Sequence, residues 1–179
     1  AQKHCQFKHA SQCAAQKHCI FAPIIRSFFR IEDKKMIERG LYYAKNDFFE
    51  LIKAVGGEWA DTKHRPMVCL VKSSECDEIY WAIPMGNYAH RTIEKQERIQ
   101  SFLDLPESDI RSCYYHIGRT TAKSIFFISD AVPITEKYIL GTHNGFNGEH
   151  FVIKNPNLIS ELERKLKRIL SFDGNNILL

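Results

Sequence analysis

The sequence has no apolar run that approaches the length of a membrane-spanning helix. It also lacks the continuous apolar segment of a secretion signal, because Lys and His residues are scattered through its first residues. The six cysteines include no C-x2-C pair, so their spacing does not favour a zinc site. We therefore expect a cytoplasmic protein with reduced thiols and no membrane partner.

Signatures of several enzyme classes are missing as well. There is no G-x-S-x-G, and no group of Asp and Glu residues that is typical of a two-metal nuclease. Lys123 and Ser124 resemble the end of a phosphate-binding P-loop, but Ala122 stands where that loop needs glycine. An apolar run typical of a strand follows, where a P-loop is followed by a helix. The sequence argues against nucleotide hydrolysis, and we expect neither a metal nor a cofactor.

The charge is unevenly distributed along the 179 residues, whose net charge is +4. Residues 1–35 contain seven Lys or Arg and two acidic residues, which gives that segment +5 and leaves −1 for the rest. If the larger part binds nucleic acid, it must do so through a local patch.

Residues 1–35 also carry a repeat. The pentapeptide Ala-Gln-Lys-His-Cys begins at Ala1 and again at Ala15, a 14-residue offset. One interpretation is a metal-binding segment that uses its His and Cys residues. The hypothesis we favour is that Met36 is the true start, since the codons expected for Arg30 to Lys35 are purine-rich, as in a ribosome-binding site. We thus predict a non-native N-terminal extension over 1–35, translated from upstream repeat DNA, and a single domain over 36–179.

Within that domain, short apolar runs alternate with polar turns. The runs predict strands at 41–43, 67–71, 79–85, 113–117, 125–128 and 151–153. Helical spacing predicts helices from Asn46 or Asp47 to Gly56, over 92–103 and over 158–170. Pro84 is expected to end the pairing of its strand, 86–91 to form a loop and 132–134 a turn. This pattern predicts an α+β fold, a small, strongly bent antiparallel sheet or barrel with inserted and C-terminal helices.

Two cationic clusters stand beside predicted strands. Residues 118–124 precede one strand, and Lys63-His64-Arg65 precede another. Lys and Arg can neutralise phosphoryl oxygens, and Ser and Thr hydroxyls can hold them in orientation. Each cluster taken alone is also typical of a solvated turn, but together they would form one anion site if the fold brings them close. His64, His90 and His116 are candidates for proton transfer.

The order of these features resembles a known family. Strand then helix over 40–55, Lys63 ahead of 66–71, and the run Thr-Thr-x-Lys-Ser-Ile-Phe-Phe-Ile-Ser-Asp-x-x-Pro-Ile at 120–134 carry the resemblance. They resemble the ToxN/AbiQ-like toxins of type III toxin–antitoxin systems, most of all the CptN branch, over roughly residues 37–172. The resemblance implies a MazF/PemK/Kid-like barrel and a metal-independent, sequence-preferring endoribonuclease. It also implies a partner, an RNA antitoxin of tandem pseudoknot-like repeats, in a hetero-oligomeric protein–RNA assembly.

The resemblance also assigns roles to residues. Lys63 matches the catalytic lysine of the family, while Gly86-Asn87-Tyr88 stand where the ToxN branch has a Thr-Ser pair and a second lysine. We therefore expect the missing groups to come from the neighbouring strand edge. The expected catalytic set is Lys63, Thr120, Lys123 and Ser124, with His64 as a further candidate, and the expected RNA-binding set is Arg65, Asn87, Tyr88, Arg119 and Thr121. The expected reaction is attack of the ribose 2′-hydroxyl on the adjacent phosphate, which leaves a 2′,3′-cyclic phosphate.

Two alternatives stay open at this point. The same barrel could be a non-catalytic RNA-binding module, or a toxin that binds gyrase and ignores RNA. New 5′-hydroxyl ends in RNA incubated without metal would distinguish the enzyme from both.

Overall fold

A computed structural model describes residues 36–56, 65–73, 76 and 78–172 of the chain. The predictions about the repeat in residues 1–35, and about Lys63 and His64, lie outside the described residues.

The described chain is α+β, as predicted. Its strands are β1 (Gly40–Ala44), β2 (Met67–Lys72), β3 (Ile79–Asn87), β4 (Tyr115–Arg119), β5 (Lys123–Phe127), β6 (Val132–Thr135) and β7 (Ile139–Thr142). Its α-helices are α1 (Asn46–Ala54), α2 (Ile93–Leu103) and α3 (Pro156–Phe172). Short 3-10 turns cover Ile110–Cys113, Ile128–Asp130 and Glu136–Tyr138.

The seven strands form one antiparallel sheet in the order β4-β5-β3-β2-β1-β7, with β6 also paired to β3. The pairs β2–β3 and β4–β5 are antiparallel because their connections are short, and a parallel pair would need a long crossover. Among the described strands, no pairing joins β4 to β7, so the sheet that they form is open.

The long strand β3 corrects two predictions. Pro84 does not end the strand, which pairs with β2 through Pro84 opposite Met67 and runs on to Asn87. On its other edge, β3 pairs with β6 up to Ala82 and with β5 from Met85 onward. Pro84 lies in the gap between these two pairings, where its missing N–H costs no ladder bond. The predicted loop at 86–91 is therefore wrong for its first two residues, which belong to β3.

Other boundaries also differ from the predictions. The polar stretch 118–124 is a tight β4–β5 hairpin, in which β4 runs through Arg119, two residues beyond the predicted end of its strand, and β5 starts at Lys123. The predicted turn at 132–134 is strand β6, and β7 was not predicted at all. Of the predicted strand 151–153, only an isolated bridge between Val152 and Gly40 forms.

Both faces of the sheet are buried, which explains the continuous apolar run of β2. Val68 and Leu70 face a core built with α3, where Leu162 and Leu166 are fully buried. The alternate residues of β2 face a second core that contains residues of α1. Successive side chains of a strand point to opposite faces, so a strand between two cores is apolar throughout.

The helix ends show further corrections. The residue that precedes α1 is Lys45, and neither Asn46 nor Asp47 caps the helix; Gly56, with φ of 84°, ends it as predicted. Asn155 caps the N-terminus of α3, since its side-chain oxygen accepts the backbone N–H groups of Asn157 and Leu158. Lys165 of α3 is buried and donates to two backbone carbonyls.

Candidate functional site

A cleft of about 530 Å³ opens where several elements of the sheet meet. We call it the hairpin cleft, because the β4–β5 turn forms one of its walls. The other walls come from β1, the start of β2, the end of β3, the start of α2 and the residue after β7. Its lining residues are Tyr43, Arg65, Pro66, Met85, Gly86, Asn87, His90, Arg91, Thr92, Lys95, Thr120, Thr121, Ala122, Ser124 and His143.

The charged residues of this lining all have the same sign. Arg65, Arg91 and Lys95 line the hairpin cleft, and no Asp or Glu is among the described residues that do so. The main domain is neutral overall, so this is a local concentration of positive charge. A cleft with a lining of one positive sign attracts an anionic ligand.

Two of these cations come together at one glycine of β3. A Cβ atom built on Gly86 would lie 2.8 Å from Arg91 Nη2 and 3.5 Å from Arg65 Nη1. The guanidinium of Arg91 also lies over the ring of Phe127, with its Cζ 5.1 Å from the ring centroid. Two planar guanidinium groups beside a bare backbone are suited to paired hydrogen bonds with phosphate oxygens.

The hairpin wall is held in shape by its own hydroxyl groups. Ser124 Oγ donates to the carbonyl of Ala122 at 3.1 Å and lies 2.8 Å from Thr120 Oγ1. Ser124 is only 3% exposed, so its hydroxyl proton is directed into the turn and not toward a ligand. In this arrangement Ser124 fixes the turn that carries Thr120 and Thr121, both half-buried in the wall.

Asn87 lies opposite Ser124 in the β3–β5 register, which brings its side chain to the same wall. Its Oδ1 accepts the backbone N–H of Ala89 at 2.9 Å. The amide is therefore oriented, and its Nδ2 is the donor side.

Three predicted site residues do not line the cleft. Lys123 and Arg119 pair across the hairpin and lie on the opposite face from Ser124, because neighbouring residues of a strand alternate between faces. Both are exposed. Lys123 Nζ lies 4.5 Å from the centroid of the Tyr88 ring, so Tyr88 also belongs to this second surface. The structure thus separates Lys123 from Thr120, Thr121 and Ser124, which it brings together with Arg65.

The sequence did not indicate one pair of side chains in the hairpin cleft. Tyr43 Oη and His143 Nδ1 are 2.7 Å apart, and both residues line the cleft. Burial, and to a smaller extent the charge of nearby His150, lower the pKa of His143. A neutral imidazole at neutral pH is the form that accepts a proton.

Of the histidines that the sequence suggested for proton transfer, one lies at the cleft and one lies away from it. His90 is exposed at the rim of the hairpin cleft. His116 lies elsewhere, and burial, followed by the charge of Lys165, lowers its pKa to about 4. Position 64, like Lys63, is outside the described residues.

Reasoning from the sequence also missed Arg91 and Lys95. The available signal was the position of two cations at one helix end, since Arg91 directly precedes the helix predicted over 92–103 and Lys95 lies in its first turn. In the described part of the chain, no three His, Cys, Asp or Glu side chains are grouped so that they could hold a metal ion. No helix there is long and apolar enough to cross a membrane.

Comparisons with protein-family models and with curated proteins find no match to this chain.

Proposed function

We propose that the protein is an endoribonuclease that binds and cuts single-stranded RNA in the hairpin cleft. The observation that carries this proposal is that Arg65 and the hydroxyl-bearing hairpin wall line the same cleft. The charged residues in the described lining of this cleft are all cations. The polyanionic backbone of RNA is a natural ligand of such a surface.

The reaction is attack of a ribose 2′-hydroxyl on its neighbouring phosphate, which produces a 2′,3′-cyclic phosphate and a 5′-hydroxyl end. Negative charge grows on the phosphoryl oxygens during this attack, and fixed cations reduce the barrier. Arg65 and Arg91 beside Gly86 are suited to that charge. Asn87 and Thr121 would donate to other phosphate oxygens, and Ser124 would hold Thr120 in place.

The resemblance of the sequence to ToxN/AbiQ-like toxins supports the same activity. From this resemblance we propose that Lys63 is a catalytic lysine. From it we also propose that the sheet closes as a strongly bent MazF/PemK/Kid-like barrel. Lys123 lies with Tyr88 outside the cleft, so we propose for it an RNA-binding role in place of the catalytic role expected from the sequence. There it would contact RNA that leaves the site.

By the same resemblance, we propose that the protein is a cytoplasmic toxin restrained by a tandem-repeat RNA antitoxin. The 14-residue repeat in residues 1–35 supports this, because it is what translation of upstream repeat DNA would give. Expression of the chain from Met36 should arrest growth, and co-expression of the upstream repeat RNA should restore it. Arrest that the repeat RNA leaves unchanged would contradict the antitoxin.

The experiment for the enzyme incubates purified protein with a mixed RNA pool in EDTA and labels new 5′-hydroxyl ends. Wild type should produce them, and Arg65→Ala should reduce their rate of formation by about 100-fold, as for removal of one charge-stabilising donor. Lys167→Ala is the control, because this exposed cation on α3 is not in the lining.

If wild-type protein retains RNA on a filter but forms no new ends, the enzyme proposal is wrong and the non-catalytic RNA-binding module replaces it. If the wild-type protein neither binds nor cuts RNA, the proposal that RNA is its ligand is wrong.

A further inference from the structure

The Tyr43–His143 pair follows directly from the pairing of two strands. Tyr43 of β1 lies opposite Gly141 of β7, and His143 comes immediately after β7 ends. The backbone N–H of His143 donates to the carbonyl of Leu41 at 2.8 Å, which extends the pairing by one residue. Both side chains are thereby fixed on rigid elements and not on a mobile loop.

The geometry of the pair is that of a hydrogen bond suited to proton transfer. Oη and Nδ1 are 2.7 Å apart, and the two rings meet edge to face with centroids 5.6 Å apart. Tyr43 and His143 are each half-buried and line the hairpin cleft. A ligand in the cleft can therefore reach the pair, while the surrounding protein keeps the two groups in contact.

The charged and titratable groups around the pair come from three parts of the chain. Arg65 stands at the start of β2, and Arg91 and Lys95 stand at the start of α2. His150 lies behind the pair, where its Nε2 donates to the carbonyl of Leu41 at 3.0 Å. Burial, and to a smaller extent the charge of His150, lower the pKa of His143, so its imidazole is kept in its neutral, proton-accepting form.

We propose that Tyr43 and His143 are the proton-accepting pair of the hairpin cleft, a role that rests on the proposed function. Tyr43 Oη takes the proton of the ribose 2′-hydroxyl while its own phenolic proton passes to His143 Nδ1. The 2′-oxygen then bonds to phosphorus, and the bond from phosphorus to the 5′-oxygen breaks. Water protonates the leaving 5′-oxygen, and the imidazolium returns its proton to the hydroxide so formed. Both residues begin and end the reaction in the same state.

The test compares wild type with His143→Ala, Tyr43→Phe and the double variant. Phenylalanine keeps the ring of Tyr43 and removes only its hydrogen bond. The control is Tyr138→Phe, which removes a hydroxyl from a ring that packs against Phe48 outside the cleft. Each protein is assayed for single-turnover cleavage from pH 5 to 9, for binding of an uncleavable 2′-O-methyl RNA, and for its thermal midpoint.

His143→Ala and Tyr43→Phe should each lower the cleavage rate by about 100-fold or more, the usual share of a proton-transfer group. The double variant should be no slower than the slower single variant, because the two residues act as one unit. The dissociation constant of 2′-O-methyl RNA should change by less than about threefold. In wild type the rate should fall on the acidic side as His143 is protonated, and this limb should be absent in His143→Ala.

A substrate with sulfur in place of the bridging 5′-oxygen separates a base from an acid, because a thiolate leaves without needing a proton. This substrate should remain slow with both variants. Recovery of the wild-type rate would overturn the proposal, since the pair would then protonate the leaving group. Wild-type rates and an unchanged pH profile in His143→Ala would overturn the inference alone. A wild-type protein that cuts no RNA would overturn the inference and the proposed function together.

Discussion

The smallest feature on which the site depends is the missing side chain at position 86. The guanidinium group of Arg91 occupies the space that a side chain on Gly86 would fill, and the guanidinium group of Arg65 borders that space. The backbone at this glycine does not require a positive φ, so its value lies in the room it leaves for the two cations. Any larger residue would move the guanidinium group of Arg91 away from β3.

Gly86→Ala is therefore expected to weaken the site while keeping the fold. The new Cβ would lie 2.8 Å from Arg91 Nη2, and the flexible arginine can move aside at small cost in stability. Cleavage should fall about tenfold or more, because the positioned charge of Arg91 is displaced, while Arg65 Nη1, 3.5 Å from the new Cβ, can stay in place. The thermal midpoint should change little. RNA cleavage and thermal unfolding of the same preparation measure both.

The matched control is Gly141→Ala on β7, where a Cβ would meet nothing within 4 Å. It should cleave RNA at the wild-type rate. Equal activity of Gly86→Ala and wild type would contradict the assignment of Arg91 to the reaction.

For single residues, the sequence indicated which residues belong to the site better than it indicated the face of the sheet on which each side chain lies. It indicated Arg65, Thr120, Thr121, Ser124 and Asn87, all of which line one cleft. It could not separate Lys123 from Ser124, because a shift of one residue along a strand changes the face on which a side chain lies. The contact of Tyr43 with His143 spans 100 residues, and no local pattern encodes it.

Among the elements, the β4–β5 hairpin has to sit closely against α3. A Cβ atom on Gly118 would lie 2.6 Å from Leu158 Cδ1 and 3.1 Å from the ring of Phe126. Leu158 and Phe126 belong to the same core as the buried residues of α3. The absence of a side chain at Gly118 therefore lets the first turn of α3 cover the hairpin that forms the wall of the cleft.

Gly118→Ala should destabilise the protein by about 1–3 kcal/mol, the usual cost of overpacking a filled core. Urea unfolding followed by Trp fluorescence measures this, with Gly141→Ala again as the control. A Gly118→Ala protein as stable as Gly141→Ala would show that α3 does not pack on the hairpin as described.

Helices and strands that a local sequence pattern determines were predictable. A strand that forms only by pairing with a distant strand was missed. The spacing of Leu162, Leu166 and Ile169 was sufficient to predict α3, and the apolar run of β2 was sufficient for a buried strand. Strand β7 has a glycine and a threonine among its four residues and forms by pairing with β1. Its dependence on a distant partner explains why the sequence pattern did not reveal it.

For the whole molecule, the half-buried His116 outside the cleft makes stability depend on pH. The pKa of His116 is about 4 in the folded protein, against an ordinary value of 6.5. Between these values the unfolded chain binds the proton and the folded protein does not, so the free energy of unfolding decreases as the pH falls. His143 acts in the same direction, so only a comparison with a variant isolates His116.

His116→Gln should therefore lose less stability than wild type between pH 7 and pH 4.5. The difference should be about 2 kcal/mol after allowance for partial exposure of the ring to solvent. Urea unfolding at the two pH values gives the four free energies that are needed. The same loss in both proteins would show that His116 is not held neutral by its surroundings.

The claim on which the whole account depends is that RNA occupies the hairpin cleft. The most direct test is a titration of isotopically labelled protein with a short 2′-O-methyl RNA, which binds without being cut, followed by amide chemical shifts. The account predicts that the largest changes cluster at Gly86, Asn87, Thr121 and His143, around one cleft. Changes that spare these amides and cluster instead on the exposed face of α3, around Lys167, would contradict it.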